Sequence, residues 1–271
     1  MAVVTTAAIR SEPSPRSVAL VTGASSGIGA ALAEALAAEG YAVALAARSK
    51  QRLDEVALCV RNAGGQALAI VCDVADPLAV QRLVDEVAGT WGRLDVVIAN
   101  AGAYQRKPAT EITRTELEAA FAVNFWGSFH LVDAVLPRLL SQRSGHVVLM
   151  TSFDAKKGMP HDGAYAAAKA ATAAYAGALR QAVRDRGVHV CTVFPGRVDT
   201  PMIEDLEVPG ISAKIPAARV AKAVMRALRR RSPEVVVPWH CRLLLWADTV
   251  SPRLGDWLVR TLRLDGRRRS P

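Results

Sequence analysis

Tyr165 and Lys169 stand four residues apart in AYAAAKAA, and Ser152 precedes the tyrosine by thirteen residues. A phenol at its ordinary pKa of about 10 is a poor acid at neutral pH. An ammonium group one helical turn away favours the phenolate, and each unit of lowering corresponds to about 1.4 kcal/mol. Such a pair can hand a proton to a carbonyl oxygen while a hydride reaches the carbon, and a serine hydroxyl can stabilise the charge that develops on oxygen. The Tyr-x-x-x-Lys spacing alone carries little. Four Tyr and seven Lys in 271 residues produce it by accident in roughly one chain in ten. Ser152 and the run TGASSGIG at 22–29 give it weight.

In that run Gly23, Gly27 and Gly29, with Ser25, Ser26 and Ile28 between them, follow the apolar stretch SVALVT and open a helix. Glycine lets a backbone approach a pyrophosphate, and a helix N-terminus offers unpaired N–H groups and a positive dipole end. The Gly-x-x-x-Gly-x-Gly spacing differs from the Gly-x-Gly-x-x-Gly of many dehydrogenases, and a tight structural turn is the rival reading. About twenty residues on, where an NAD enzyme places an acid against the adenosine ribose, the chain reads Ala46, Ala47, Arg48, Ser49. A guanidinium there pairs with a 2'-phosphate that an acid would repel, which predicts NADP(H) with Arg48 as main determinant and Ser25 or Ser49 assisting. A solvated first-turn arginine is the alternative. Asp73 and Val74, in VCDV, are placed to meet the adenine ring, with an N-cap as the rival role for Asp73. Asn100, Ala101 and Gly102 close the next strand.

The elements that must position these residues alternate from Ser17 onward as short apolar runs and alanine-rich stretches, the pattern of right-handed βαβ units. Strands are expected at 18–22, 42–46, 67–72, 94–99, 145–151, 188–193 and 234–237. Helices are expected at 27–39, 49–63, 77–90, 113–142, 163–186 and 217–231. The strands are almost continuously apolar, as when helices cover both faces. The fold class is therefore α/β, a doubly wound seven-stranded parallel sheet, with ligands at the carboxyl ends of the strands. Residues 1–16 read as a loose tail, 17–238 as one catalytic domain and 239–271 as an extension.

Composition narrows the function. No segment reaches the ~20 uninterrupted apolar residues of a spanning helix, and Arg10 follows the apolar N-terminal stretch where a secretory signal would place it before. Cys59, Cys72, Cys191 and Cys241 show no C-x-x-C spacing, and the five histidines form no metal-ligand pattern, so a reduced cytoplasmic protein without a metal is expected. The net charge of +9 lies wholly in residues 219–271, which hold thirteen Lys or Arg against four acids. No nucleic-acid-binding motif accompanies it.

TGASSGIG, CDV, NAG, Asn124 in VNFWG, Ser152, Tyr165-x-x-x-Lys169 and PGRVDT at 195–200 appear in this order, and the chain resembles the short-chain dehydrogenase/reductase family from about Ser17 to Pro238. The resemblance implies a single-domain Rossmann fold, a nicotinamide cofactor, and hydride exchange with a carbonyl or secondary alcohol carbon. It implies a catalytic tetrad of Asn124, Ser152, Tyr165 and Lys169, in which Lys169 also binds the nicotinamide ribose and Asn124 holds a water that links Lys169 to solvent. Pro195 and Gly196 break the chain after the sixth strand, and by resemblance Val198 and Thr200 contact the carboxamide. It further implies a homodimer or homotetramer through helices 113–142 and 163–186. Residues 201–216 read as a mobile loop over the pocket, with Tyr104, Trp126, Phe153 and Met159 as candidate apolar walls favouring a hydrophobic substrate. A non-catalytic NADP(H)-binding sensor and a membrane-attached interaction protein are the alternatives.

Beyond Pro238, WHCRLLLWADTVSPRLGDWLVRTLRLDGRRRSP holds three of the five tryptophans. A helical wheel puts Leu254, Trp257, Leu258, Leu262 and Leu264 on one face and Arg253, Arg260, Arg263 and Arg267 opposite. A basic amphipathic helix of this kind packs on its own domain or a second subunit, or lies in a membrane interface; the extension is loosely similar to those of membrane-associated hydroxysteroid dehydrogenases.

Overall fold

The computed structural model describes residues 17–268; the tail expected at 1–16 lies outside them. The apolar runs become β1 (Val18–Thr22), β2 (Ala42–Ala47), β3 (Ala67–Val71), β4 (Val96–Ala99), β5 (Gly145–Met150), β6 (Val188–Pro195) and β7 (Glu234–Val237). All pair in parallel in one sheet of order β3-β2-β1-β4-β5-β6-β7. Helices α1 (Gly27–Ala38), α2 (Lys50–Asn62), α3 (Pro77–Trp91), α4 (Arg114–Phe121), α5 (Gly127–Gln142), α6 (Gly163–Ala182) and α7 (Ala217–Arg230) connect them. Side chains alternate across the sheet. Val18 and Leu20 join a core with α3, α5 and α6, while Ala19 and Val21 join a second core with α1, α2 and α7. The expected doubly wound fold is present, and the order reverses between β1 and β4, which opens a crevice at the carboxyl ends.

Local chemistry sets the helix ends. Asp76, followed by Pro77, accepts the Leu78 N–H at 2.8 Å and caps α3, so Asp73 is not that cap. A capping box between Thr113 and Glu116 starts α4. The helix expected to run unbroken over 113–142 instead carries a π turn at Ala122–Trp126, between α4 and α5. Arg114–Gln142 is long and apolar enough by composition to cross a membrane, but Leu131, Val132, Val135 and Leu139 are fully buried in the protein core.

The extension departs from the single helix expected. It forms α8 (Cys241–Val250) and α9 (Pro252–Thr261), two helices packed against each other. Ser251 sits at the N-cap of α9 and Pro252 at its first position, a combination that stops one helix and starts the next. The crossing is tight: a Cβ on Gly255 would lie 2.2 Å from Asp248 Oδ1. Leu262 and Leu264 lie beyond α9, Arg263 takes φ 51°, and the backbone at 267–268 pairs antiparallel with 206–207. The wheel's apolar face is also divided. Leu254 and Trp257 are exposed, whereas Leu258, Leu262 and Leu264 turn to the main domain, where Val259, Leu244 and Leu245, outside that face, also pack on the Phe153 and Met159 cluster.

Candidate active site

A cavity of about 640 Å³ opens at the carboxyl ends of β5, β6 and β7. Thr151 and Ser152 after β5, Pro195 and Gly196 at β6, and Pro238 after β7 contribute to its wall, and Tyr165 reaches it from α6. Phe153, Met159 and Tyr104 line it as expected. Trp126 does not: it stands 47% exposed on the far side of its helix, in an aromatic cluster with Phe125, Phe129 and His130. Residues 201–216 lie along the cavity, with Met202, Ile203, Leu206 and Ile211 lining it; the segment is held near its C-terminal end where Ile215 pairs with Val198 and in its middle where Leu206 pairs with residue 268.

The four residues expected to form a tetrad converge. Lys169 is buried and donates to the Met150 carbonyl at 2.9 Å, and burial lowers its pKa to about 8. A Cβ built on Gly102 would lie 3.0 Å from Asn124 Oδ1 and 3.5 Å from Lys169 Nζ, so both polar groups press on this one glycine. Asn124, within the π turn, donates to the Ala103 and Ala120 carbonyls at 2.8 and 2.9 Å and accepts the Ala103 N–H at 3.2 Å. Its carbonyl takes hydrogen bonds from Ser128 and from Thr172 of α6. Asn124 therefore ties three elements together around Lys169.

Lys169 does not lower the Tyr165 pKa in this arrangement. Burial and the Asp154 carboxylate hold the phenol above its ordinary range, and a hydrogen bond with Ser152 offsets part of that rise. Lys169 Nζ lies 5.9 Å from the ring centre, engaged with Met150.

The glycine turn has the shape of a cradle. Gly27 takes φ 54°, and a Cβ there would lie 2.8 Å from Thr200 Cγ2; a Cβ on Gly29 would lie 2.1 Å from the Gly23 carbonyl oxygen. PGRVDT thus lies directly over the turn. Ser26 and Ser49, at the N-caps of α1 and α2, make no side-chain capping bonds, which leaves first-turn N–H groups for an anion. These features fit a dinucleotide. Arg48 is exposed just past the end of β2. Asp73 is exposed and accepts the Ala75 N–H at 3.0 Å, and Val74 behind it is buried. Asn100 spends its amide on the Thr22 and Gly23 carbonyls at 3.0 and 3.3 Å, so it braces the turn from beneath. Thr22, absent from the sequence reading, accepts the N–H groups of Asn100 and Ala101.

A polar cluster at one end of the cavity was also missed. Ser152 Oγ meets Asp154, and Tyr104 donates to buried Asp162 at 2.7 Å while its ring packs edge-on to Tyr165. Arg106 lies 3.7 Å from Asp162 and donates to the Asp265 and Gly266 carbonyls. Arg197 donates to Ser212 Oγ at 2.6 Å and to the Leu264 carbonyl. No motif marks these residues. Only the proximity of Asp154 to Ser152 in SFDAKK was available as a signal.

Residues 17–208 match the short chain dehydrogenase family, and the chain belongs to it. It is thus an oxidoreductase with a Rossmann fold that takes a nicotinamide cofactor. A 1-deoxy-11-beta-hydroxypentalenate dehydrogenase of Streptomyces exfoliatus is 37% identical over 216 residues, covering 78% of each chain. The actinorhodin polyketide ketoreductase, solved with NADPH, superposes with a TM-score of 0.78 at 27% identity, over 83% of this chain and 97% of that one. A short chain dehydrogenase/reductase of Burkholderia phymatum, solved with NAD, shares the fold with a TM-score of 0.82 at 24% identity, over 89% and 95%.

Proposed function

We propose that this chain reduces a carbonyl of a hydrophobic substrate to a secondary alcohol with NADPH, Tyr165 serving as the general acid. The observation that carries this reading is the placement of Tyr165 and Ser152 together at the polar end of a cavity whose remaining wall is largely Leu, Ile and Met. When bound, the dihydronicotinamide supplies the hydride to the carbonyl carbon. Ser152 donates to the carbonyl oxygen and stabilises its growing charge, and Tyr165 gives that oxygen its proton. The raised phenol pKa keeps the proton on Tyr165 until the oxygen becomes basic enough to take it. Lys169, fixed by Met150, holds an ammonium near the phenolate that remains, and Asn124 fixes the loop at Ala103 against which both lie. Arg48 selects the 2'-phosphate, with Ser25 or Ser49 assisting.

The NADPH-bound ketoreductase supports the cofactor preference, and the exposed guanidinium at the tip of β2 supports it from this chain's own residues. The reading includes a homodimer or homotetramer through α4, α5 and α6, on which the Trp126 cluster is the exposed apolar surface. A non-catalytic cofactor sensor would not require Ser152 and Tyr165 to face the substrate cavity together. The deciding experiment replaces Tyr165 with Phe and screens ketones, steroids and quinones for NADPH oxidation. Turnover is expected to fall by about 10²–10⁴-fold with NADPH affinity nearly unchanged, and undiminished turnover refutes the assignment.

A further inference from the structure

Trp239, Leu243, Trp246 and Val250 recur at helical spacing along one side of α8 and its lead, and Leu254 and Trp257 continue the apolar surface on α9. All six are exposed, Trp246 to 70%, Trp239 to 67% and Trp257 to 56%. The inward side of the same hairpin is satisfied by Phe153 and Met159. Burying this face is therefore not needed to hold the hairpin in place, and so many exposed tryptophans and leucines in one place mark a contact surface.

Charge identifies what it contacts. Arg253, Arg260 and Arg263 are exposed and make no ion pair among the described residues. The two acids within α8 and α9, Asp248 and Asp256, both turn to Lys157, at 2.6 and 2.7 Å. The outward side thus carries apolar residues and exposed cations together: Arg253 and Arg260 stand four residues before and three after Trp257 on α9, beside it and not opposite as the helical wheel had set them. A second copy meeting it across a two-fold axis would bring arginine onto arginine, which disfavours that contact. An anionic lipid surface satisfies both parts: tryptophan sits at the headgroup boundary, and the guanidinium groups pair with lipid phosphates. Leu243 is 62% exposed on this face and also lines the substrate cavity, so the surface reaches the cavity wall.

We propose that the outer face of the α8–α9 hairpin is a docking surface for an anionic bilayer, placing the cavity beside the acyl region from which a hydrophobic substrate would enter. The entry route rests on the hydrophobic-substrate reading; the docking does not. The test is flotation of the full chain with vesicles of phosphatidylcholine, with and without phosphatidylglycerol, alongside Trp246→Gln/Trp257→Gln and Arg253→Glu/Arg260→Glu variants. The protein is expected to float with the anionic vesicles, to lose about tenfold in partitioning when phosphatidylglycerol is left out, and to lose about as much in either variant. All four substituted side chains are exposed, and an unchanged thermal midpoint verifies that the variants fold. Failure to float with anionic vesicles overturns the proposal, as does equal flotation of the tryptophan variant. Self-association in sedimentation that the tryptophan variant abolishes, with no vesicle binding, assigns the face to a second copy instead. Flotation needs no turnover, so loss of the reductase reading would leave this result standing.

Discussion

Ser152 Oγ donates to Asp154 Oδ2 at 3.2 Å and accepts the Asp154 N–H at 3.1 Å. The hydroxyl proposed to hold the substrate oxygen is itself held by a carboxyl group. Burial and the facing Asp162 raise the Asp154 pKa to about 7, against the opposing pull of Ser152, Arg197 and Arg106. Above that pH a carboxylate competes for the serine proton. Below it a protonated carboxyl donates to Oγ and frees that proton for substrate. Ketone reduction is expected to rise as pH falls through about 7. In Asp154→Asn, whose amide donates at every pH, this limb should vanish; its persistence would show that another group titrates.

The same carboxyl has a consequence for stability. Its folded pKa of about 7 exceeds the unfolded value of about 4, so the folded chain binds this proton more tightly. The contribution is full below pH ~4 and is lost as pH rises through about 7. Asp154→Asn should therefore melt above the wild type at pH 8, with the gap narrowing at pH 5, in a calorimetric comparison at both.

Arg48→Glu exchanges a guanidinium for a group that repels a 2'-phosphate. NADPH affinity should weaken by about ten- to a hundredfold while NADH binding holds or improves, read by fluorescence titration of both. Tighter NADH binding by the unaltered chain would overturn the role given to Arg48.

Gly29→Ala puts a methyl group 2.1 Å from the Gly23 carbonyl, and backbone rather than a flexible side chain would have to move. NADPH binding should fall by more than about tenfold with circular dichroism little changed, because the sheet does not depend on the turn. Unimpaired binding would mean that the turn is structural only.

The strands were legible because both faces of the sheet are buried, so each reads as a continuous apolar run, too short for a helix and in most cases rich in β-branched residues. Their ends shifted by a residue or two in both directions: β2 and β6 run on, the latter through Phe194 and Pro195, while β3, β4 and β5 are shorter than the apolar runs that marked them. Ser152, Tyr165 and Lys169 stood out by their spacing and Asn124 only through the family resemblance; the structure brings Asn124 and Lys169 together at Gly102 and Ser152 and Tyr165 together at the cavity. The π turn around Asn124 could not be recognised, since it answers to contacts with Ala103 and Thr172 that lie far along the chain. The wheel drawn through 253–267 starts just after the break at Ser251 and Pro252 and overruns the end of α9 at Thr261, where Arg263 turns to φ 51°. Asp154 and Asp162 in the β5–α6 connection, Arg106 and Arg197 come from three separate stretches and acquire meaning only through the tertiary fold.

Arg106 and Arg197 clasp the turn at 264–266, and Leu258, Leu262 and Leu264 from this last stretch form part of the cavity wall. The glycine cradle, the tetrad and Arg48 all lie before residue 200. One part of the cavity wall is consequently supplied from well beyond Ser152 and Tyr165 in the chain, while Tyr104, Phe153 and Met159 supply another from close beside them. What fastens the terminal stretch to that wall is its own backbone, since the two guanidinium groups grip carbonyls and no side chain of 264–266.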